Sequence, residues 1–375
     1  MPCGELLLRS LPTLRSRVDP RRRTDPAHPP ACAECRGATG RKAVKRVAVL
    51  GGDGIGPEVV DAAVSVLEGL GVPLRCEGPY PIGFAAYRKR GTPLPEETLA
   101  AVRDADAALF GAVTTPPDEP GYRSPVLALR QGLGLFANVR PCASAPHPSS
   151  RPGIDLVIVR ENTEGLYAGR ERVEDEGRRA VSERVITRAA SERIVRFACE
   201  FARRRGARRL CLVHKANVLR VSDGLFRRAG LEVAASYPQL EVEELLVDAC
   251  AMRLLRDPER FEVIVTTNLF GDILSDEACM LVGGLGLACS ANIGECAALF
   301  EPVHGSAPDI AGEGIANPLA AIGSAALLLE HLGEDAAAER VRAAVRDVLA
   351  AGRTTPDLGG ALGTVEVTQA VLAAL

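Results

Sequence analysis

Two aspartates four residues apart, Asp272 and Asp276, lie in the stretch TTNLFGDILSDEACMLVGG, residues 266–284. On a helix that spacing puts both carboxylates on one face, one turn apart. Neighbouring carboxylates repel unless a cation lies between them, and oxygen donors suit a hard divalent ion. The commoner fate of such a pair is to be solvated on a surface helix. This pair, however, follows FEVIVTTN (residues 261–268), which reads as a buried strand running into a turn. Strand ends are where α/β proteins build sites. Polar residues recur at the ends of other apolar runs: Arg140, Arg160, Tyr167, Lys215, Asn217 and Asp248. Singly each has an ordinary reading, as a surface charge, a solvated lysine or a core-edge tyrosine. Together they describe a site for an anionic, metal-chelating substrate. Arginine forks, here Arg130, Arg140 and Arg160, take carboxylates at two points. Asp248, Asp272 and Asp276 suit Mg²⁺ or Mn²⁺, and a tyrosine and a lysine beside a metal can serve as acid and base.

The elements that must hold these residues alternate between strand and helix, which makes the class α/β. Residues 47–50 read as a strand, followed by GGDGIGPE (51–58) and an amphipathic helix over 59–70. The glycines fall at 51, 52, 54 and 56, which is not G-x-G-x-x-G, and no acid ends a second strand about 20 residues on. The spacing therefore argues against a Rossmann site and for a tight turn opening a helix, with Asp53 as a turn or cap residue. Further helices are expected over 95–103, 124–131, 189–204, 224–237, 319–332 and 336–350, with one more at the C-terminus. Strands are expected over 107–113, 155–159, 210–213 and 242–247, and extended chain over 133–140. Residues 300–318 read as mostly loop, and the Pro- and Gly-rich segment 116–123 as an exposed loop.

The whole chain has 375 residues, 47% of them hydrophobic, and a formal charge of −3. That is ample for two domains and gives no reason to expect a nucleic-acid partner. No apolar run reaches the ~18 residues that span a bilayer. Eleven cysteines, odd in number and mostly in apolar contexts, point to core thiols in a reducing compartment. Cys32 and Cys35 form a lone C-x-x-C, a weak zinc or redox signal without a second pair. Residues 1–46 are Arg- and Pro-rich, and read as a disordered tail, a mitochondrial presequence or a mis-assigned start.

From about Val47 onward the chain resembles the β-decarboxylating dehydrogenase family of isocitrate, isopropylmalate and homoisocitrate dehydrogenases. The resemblance rests on GDGIGPE (52–58), LFANVRP (135–141), VRENTEGLY (159–167), HKAN (214–217), NLFGDILSD (268–276) and HGSAPDIAGEGIANP (304–318). It implies that family's own two-domain α/β fold. Residues 47–135 with 284–375 would form a larger cofactor-binding domain, and 136–283 a smaller domain for dimerisation and for metal and substrate. It implies Arg130, Arg140 and Arg160 on the substrate carboxylates, with Ser124 and Asn217 also in the substrate site. Asp272 and Asp276 would bind the metal with Asp248. The family's homodimers share their sites, so Lys215 and Asp248 would come from the partner; a tetramer is the alternative assembly. NAD would lie against Val113, Thr114, Thr115, His304, Gly305, Ser306, Ala307, Asp309, Ile310 and Asn317. In the implied chemistry Lys215 helps remove the substrate hydroxyl proton as hydride leaves for NAD⁺. CO₂ departs β to the new ketone, and Tyr167 then donates a proton.

Asp309 favours NAD over NADP, because a carboxylate there accepts from ribose hydroxyls and repels a 2′-phosphate. In GYRSPVLALR (121–130) Arg123 stands where isopropylmalate enzymes place an acid, and a cation suits a further carboxylate better than an isopropyl group. Ser124 matches NAD-isocitrate enzymes, but Val126 replaces their asparagine. With GFAAYRKRGTPLPEET (83–98) upstream, the pattern most resembles homoisocitrate dehydrogenases. The expected reaction is homoisocitrate to 2-oxoadipate, in the aminoadipate route to lysine, with isocitrate as the alternative. Isopropylmalate, D-malate and tartrate rank lower, as does a non-catalytic regulatory subunit, which would lack Tyr167, Lys215 or the aspartates. The expected compartment is the cytoplasm, with the mitochondrial matrix as the alternative.

Overall fold

The computed structural model describes residues 44–116, 118–119 and 121–375. The readings of the leader before residue 44, including Cys32 and Cys35, lie outside the described residues. The strands in chain order are β1 (Lys45–Gly52), β2 (Leu74–Glu77), β3 (Ala107–Ala112), β4 (Ala137–Ala143), β5 (Asp155–Glu161), β6 (Gly165–Glu174), β7 (Arg179–Val185), β8 (Arg209–His214), β9 (Glu241–Leu246), β10 (Val263–Thr266), β11 (Cys289–Ile293) and β12 (Ala298–Pro302). The helices are α1 (Gly56–Gly69), α2 (Phe84–Arg90), α3 (Glu96–Asp104), α4 (Pro125–Gly132), α5 (Arg188–Arg205), α6 (Ser222–Ala234), α7 (Val247–Arg256), α8 (Asn268–Leu281), α9 (Leu319–His331), α10 (Asp335–Ala350) and α11 (Thr364–Ala374).

Ten strands form one sheet in the order β2-β1-β3-β12-β11-β4-β5-β10-β8-β9, and β6 pairs with β7 in a separate hairpin. The outer strands run parallel to their neighbours, whereas β12–β11, β11–β4 and β4–β5 are antiparallel. This mixed order is not that of a Rossmann sheet. Near-continuous apolar strands follow from burial on both faces. Along β5, Val157 and Val159 pack with Ile194, Ala198 and Phe226 of α5 and α6. Leu156 and Ile158 point the other way, to Cys250, Leu254, Leu274 and Ala278 of α7 and α8. The same alternation in β1 sends Val47 and Val49 toward α1 and α9, and Ala48 and Leu50 toward Val102 and Leu129 of α3 and α4.

The expected α/β class is observed, with several local differences. The strand β1 begins at Lys45, two residues inside the segment read as leader. Arg140 lies within β4 rather than at a strand end. Asp248 opens helix α7, after β9 has ended at Leu246. The first residues of the expected 300–318 loop belong to β12. Strands β2 and β11, the β6–β7 hairpin and helix α2 were not expected. The hairpin is mostly solvent-exposed, so it lacks the apolar alternation that marks a half-buried strand. Asp53 is indeed a cap, but of another helix. Its carboxylate accepts from Phe84 N and Ala85 N at the start of α2, at 2.7 and 2.9 Å, and from Thr114 N at 3.0 Å.

Candidate active site

Helix α8 carries Asp272 and Asp276 on the face that meets β4, β5 and β6, as their spacing predicts. The stem of Arg160 crosses this helix at Gly271. A Cβ there would lie 2.7 Å from Arg160 Cβ and Cγ, so only glycine admits the arginine. Arg160 is 1% exposed, among the largest fully buried side chains. Its Nε and Nη2 donate to Asn268 Oδ1 at 3.1 and 2.7 Å, and Nη1 donates to Asp272 Oδ1. Its guanidinium stacks over the Tyr167 ring, 5.0 Å from the centroid. A buried cation persists only when paired and hydrogen-bonded. Even so, burial, with Arg140 adding to it, lowers the Arg160 pKa to about 10.

Arg140 reaches the same carboxylates from β4. Its guanidinium forms an ion pair with Asp272 Oδ1 at 3.1 Å and donates to Asp276 Oδ1 at 3.0 Å and Ser275 Oγ at 2.7 Å. The Tyr167 hydroxyl donates to Asp272 Oδ2 at 2.6 Å. Tyr167 follows a turn that the Glu161 carboxylate fixes by accepting from Thr163 N and Oγ1 and from Glu164 N. Burial alone would raise the Asp272 pKa. Arg160 and Arg140, with the Tyr167 hydrogen bond, outweigh it and hold the carboxyl below its usual range. Asp276, with less compensation, is pushed up by burial. Burial, then the bond to Asp272, raises the Tyr167 phenol. The third arginine, Arg130 on α4, donates to Glu301 Oε1 at 2.8 Å, and its Nε is buried without a partner.

Lys215 and Asp248 stand apart from this cluster. Lys215 Nζ donates to Asp248 Oδ1 at 2.6 Å, and that bond holds the Asp248 carboxyl below its usual range. The buried Asp223 fixes the lysine backbone, accepting from Lys215 N at 2.6 Å, and is itself paired with Arg184 at 2.6 Å. Asn217 and Ser124 make no side-chain hydrogen bond among the described residues; Asn217 is exposed and Ser124 half-buried. Among the described residues no three acidic, histidine or cysteine side chains converge on one metal position. One chain thus offers two of the three expected metal ligands at a single place. Their oxygen donors fit a hard divalent cation, and the rest of its shell must come from elsewhere.

The expected cofactor loop after β12 is tied to the first turn of the chain. Ile55 N donates to Ser306 O at 2.9 Å, and Ser306 Oγ meets Thr114 Oγ1 at 2.8 Å. A Cβ at Gly54, where φ is +59°, would overlap Ser306 O, so the approach requires glycine. Val113 is half-buried and Thr115 exposed beside Thr114. Ala307 takes a positive φ of 36° and places Asp309 in solvent, with Ile310 against the core. Gly305 faces open space, and the adjacent His304 Nε2 is buried without a partner. An orphaned buried nitrogen beside an open glycine fits a bound nucleotide. Asn317 is already engaged: its Oδ1 accepts from Leu319 N at the start of α9, and its Nδ2 donates to Asp357.

Sequence reasoning missed Glu301, Asn268, Asn138, Asn292 and Asp223, each 6% exposed or less. An acid inside ALFEP (298–302) and an asparagine inside CSANI (289–293) were the available signals, since apolar strands hold buried polar groups only with partners.

A family model described as isocitrate/isopropylmalate dehydrogenase matches residues 46–371. An isocitrate/homoisocitrate dehydrogenase of Thermus thermophilus is 54% identical over 331 residues, covering 88% of this chain and 98% of that protein. A 3-isopropylmalate dehydrogenase of Methanothermobacter thermautotrophicus is 51% identical over 323 residues, covering 86% of this chain and 96% of its own length. The crystal structure of isocitrate dehydrogenase from Methylococcus capsulatus superposes with a TM-score of 0.85 at 49% identity, covering 88% of this chain and 99% of that one.

Proposed function

The chain belongs to the isocitrate/isopropylmalate dehydrogenase family of β-decarboxylating dehydrogenases, and within it we propose metal-dependent, NAD-linked oxidative decarboxylation of homoisocitrate to 2-oxoadipate. The observation that carries the reading is the double engagement of Asp272, by Arg140 and Arg160 on one oxygen and Tyr167 on the other. It joins a metal-binding carboxylate, two carboxylate receptors and a proton donor in one cluster.

Asp272 and Asp276, with Asp248 of a second subunit, would hold Mg²⁺ or Mn²⁺. The loop residues His304 to Ala307, with Val113, Thr114, Thr115, Asp309, Ile310 and Asn317, would hold NAD. When bound, the cation draws electron density from the substrate's 2-oxygen and the nicotinamide accepts hydride. Arg130, Arg140 and Arg160 orient the carboxylates by two-point hydrogen bonds, with Ser124 and Asn217 at the edges of the substrate. Tyr167, whose phenol is raised and therefore protonated near neutrality, delivers a proton to the carbon left by CO₂. Lys215 takes the substrate hydroxyl proton.

The exposed apolar surface around Lys215 supports a shared dimer site and with it this role for Lys215. Met252 and Leu255 of α7, Ile273 and Met280 of α8, and Val218 and Val221 beside Lys215 are all large, apolar and more than half exposed. Ile273 and Met280, seven residues apart, share one helix face. Such a stripe on packed helices marks a protein–protein interface, and a two-fold axis through it would exchange Lys215 and Asp248 between subunits. The β4–β11 seam is then the boundary between the larger cofactor unit and the smaller dimerisation unit. Eight free cysteines among the described residues favour a reducing compartment, read here as the cytoplasm.

Arg123, exposed just before α4, with the half-buried Val126, favours a long polyanionic substrate over an isopropyl group. Isocitrate is the second reading, through Ser124. The test compares homoisocitrate, isocitrate, 3-isopropylmalate, D-malate and tartrate in steady state with NAD⁺ and Mn²⁺. Homoisocitrate should give the highest kcat/KM, and a preference for isopropylmalate would overturn the reading of Arg123. Asp309→Lys with Ile310→Tyr should shift the cofactor ratio toward NADP⁺ by at least about tenfold, a scale set by one charged contact. An unchanged ratio would remove Asp309 from cofactor choice.

A further inference from the structure

A continuous chain of buried side-chain hydrogen bonds runs between two of the carboxylate-binding arginines. Arg140 Nε donates to Asn138 Oδ1 at 2.8 Å. Asn138 Nδ2 donates to Asn292 Oδ1 at 3.0 Å. Asn292 Nδ2 donates to Glu301 Oε1 at 2.7 Å, and the same oxygen accepts from Arg130 Nη2 at 2.8 Å. Asn138 and Asn292 are fully buried and face each other as a register pair across β4 and β11. The chain's direction is fixed from both ends. A guanidinium only donates, so Asn138 must present its oxygen to Arg140 and its amide to Asn292. A carboxylate only accepts, so Asn292 must turn its amide to Glu301. In a low-dielectric interior such aligned bonds reinforce one another. Asn162 is a branch: its Nδ2 also donates to Asn292 Oδ1 at 2.9 Å, but it lies off the route between the arginines.

We propose that Asn138 and Asn292 are positioning residues that fix Arg130 relative to Arg140 across the β4–β11 seam, so that both meet one substrate molecule in register. The proposal rests on the preceding assignment of the two arginines to one substrate. A structural peg would set stability alone, whereas a positioning link sets substrate KM.

Asn292→Asp keeps the shape and the acceptor but replaces the donor facing Glu301 with a second carboxylate. Asn138→Ala cuts the same route from the neighbouring strand, should the first variant fail to fold. Each is expected to raise the KM for the polycarboxylate substrate about tenfold or more, the scale of a charged hydrogen bond, with kcat within about threefold and the KM for NAD⁺ unchanged. Asn162→Ala should lower Tm and leave substrate KM within about twofold. Unchanged substrate KM in the folded route variants, or an equal rise in Asn162→Ala, would overturn the proposal. A crystal structure of the folded route variant tests the link without turnover. Displacement of Arg130 or Arg140 supports it, and both guanidiniums in their present places contradict it. Absence of turnover in the wild-type protein would instead count against the enzyme assignment.

Discussion

Helix α8 and the Lys215–Asp248 pair hold the same kinds of group among different partners. On α8 Asp272 is closed in by its own chain, taken by two arginines and a tyrosine with a buried arginine crossing at a glycine, while Asp276 is 53% exposed. The Lys215–Asp248 pair lies at the edge, Asp248 63% exposed, beside Val218 at 66% and Val221 at 86%. An exposed ion pair contributes little to stability, and apolar residues are not normally clustered around one in water. In the proposed assignment the first region takes its arginines and tyrosine from one chain, and the second is where a further subunit would complete the metal site.

Four experiments bear on that contrast. Arg160→Met removes the buried cation under Asp272. It should abolish measurable turnover and cost about 1–3 kcal/mol of stability in denaturant unfolding, because the buried Asn268 Oδ1 loses both donors while Arg140 and Tyr167 still hold Asp272; retained activity would deny the α8 cluster its role. Lys215→Met should lower kcat by about 10²–10⁴-fold with Tm nearly unchanged, because the Asp248 carboxylate that loses its partner is 63% exposed. A large fall in Tm would make Lys215 structural. Removal of divalent cations by EDTA should stop turnover, and added Mn²⁺ or Mg²⁺ should restore it; full activity in EDTA would leave Asp272 and Asp276 as partners of arginine alone. Met252→Glu with Met280→Glu should convert the proposed dimer to monomer in sedimentation and lower activity, while unfolding stability of the chain shifts by only about 0.5 kcal/mol, as for surface substitutions. A monomeric protein with full activity would break the link between the exposed stripe and the site.

Much of the closed region was legible because its signals are local. Asp272 and Asp276 share a helix face by spacing alone, and the apolar run before them marks β10. The motifs carried the rest of the family likeness. The asparagine chain was not legible: Asn138, Asn292 and Glu301 sit on three strands and meet only through a sheet order that brings β11 and β12 between β3 and β4. Arg140 was misplaced at a strand end because the run before it, LFANV (135–139), reads as one strand, whereas Leu135 and Phe136 precede β4 and the strand continues through Ala143. The β6–β7 hairpin was missed because exposed strands have no apolar period to read.

The claim that Lys215 of one subunit serves Asp272 of another is tested by mixing two inactive chains, Asp272→Asn and Lys215→Met, with subunit exchange. If the site is shared, each mixed dimer holds one site with both lesions and one with neither. Random pairing should then recover about a quarter of wild-type activity. No recovery, with mixed dimers demonstrably formed, would place Lys215 and Asp272 in the same chain's site and contradict a shared one.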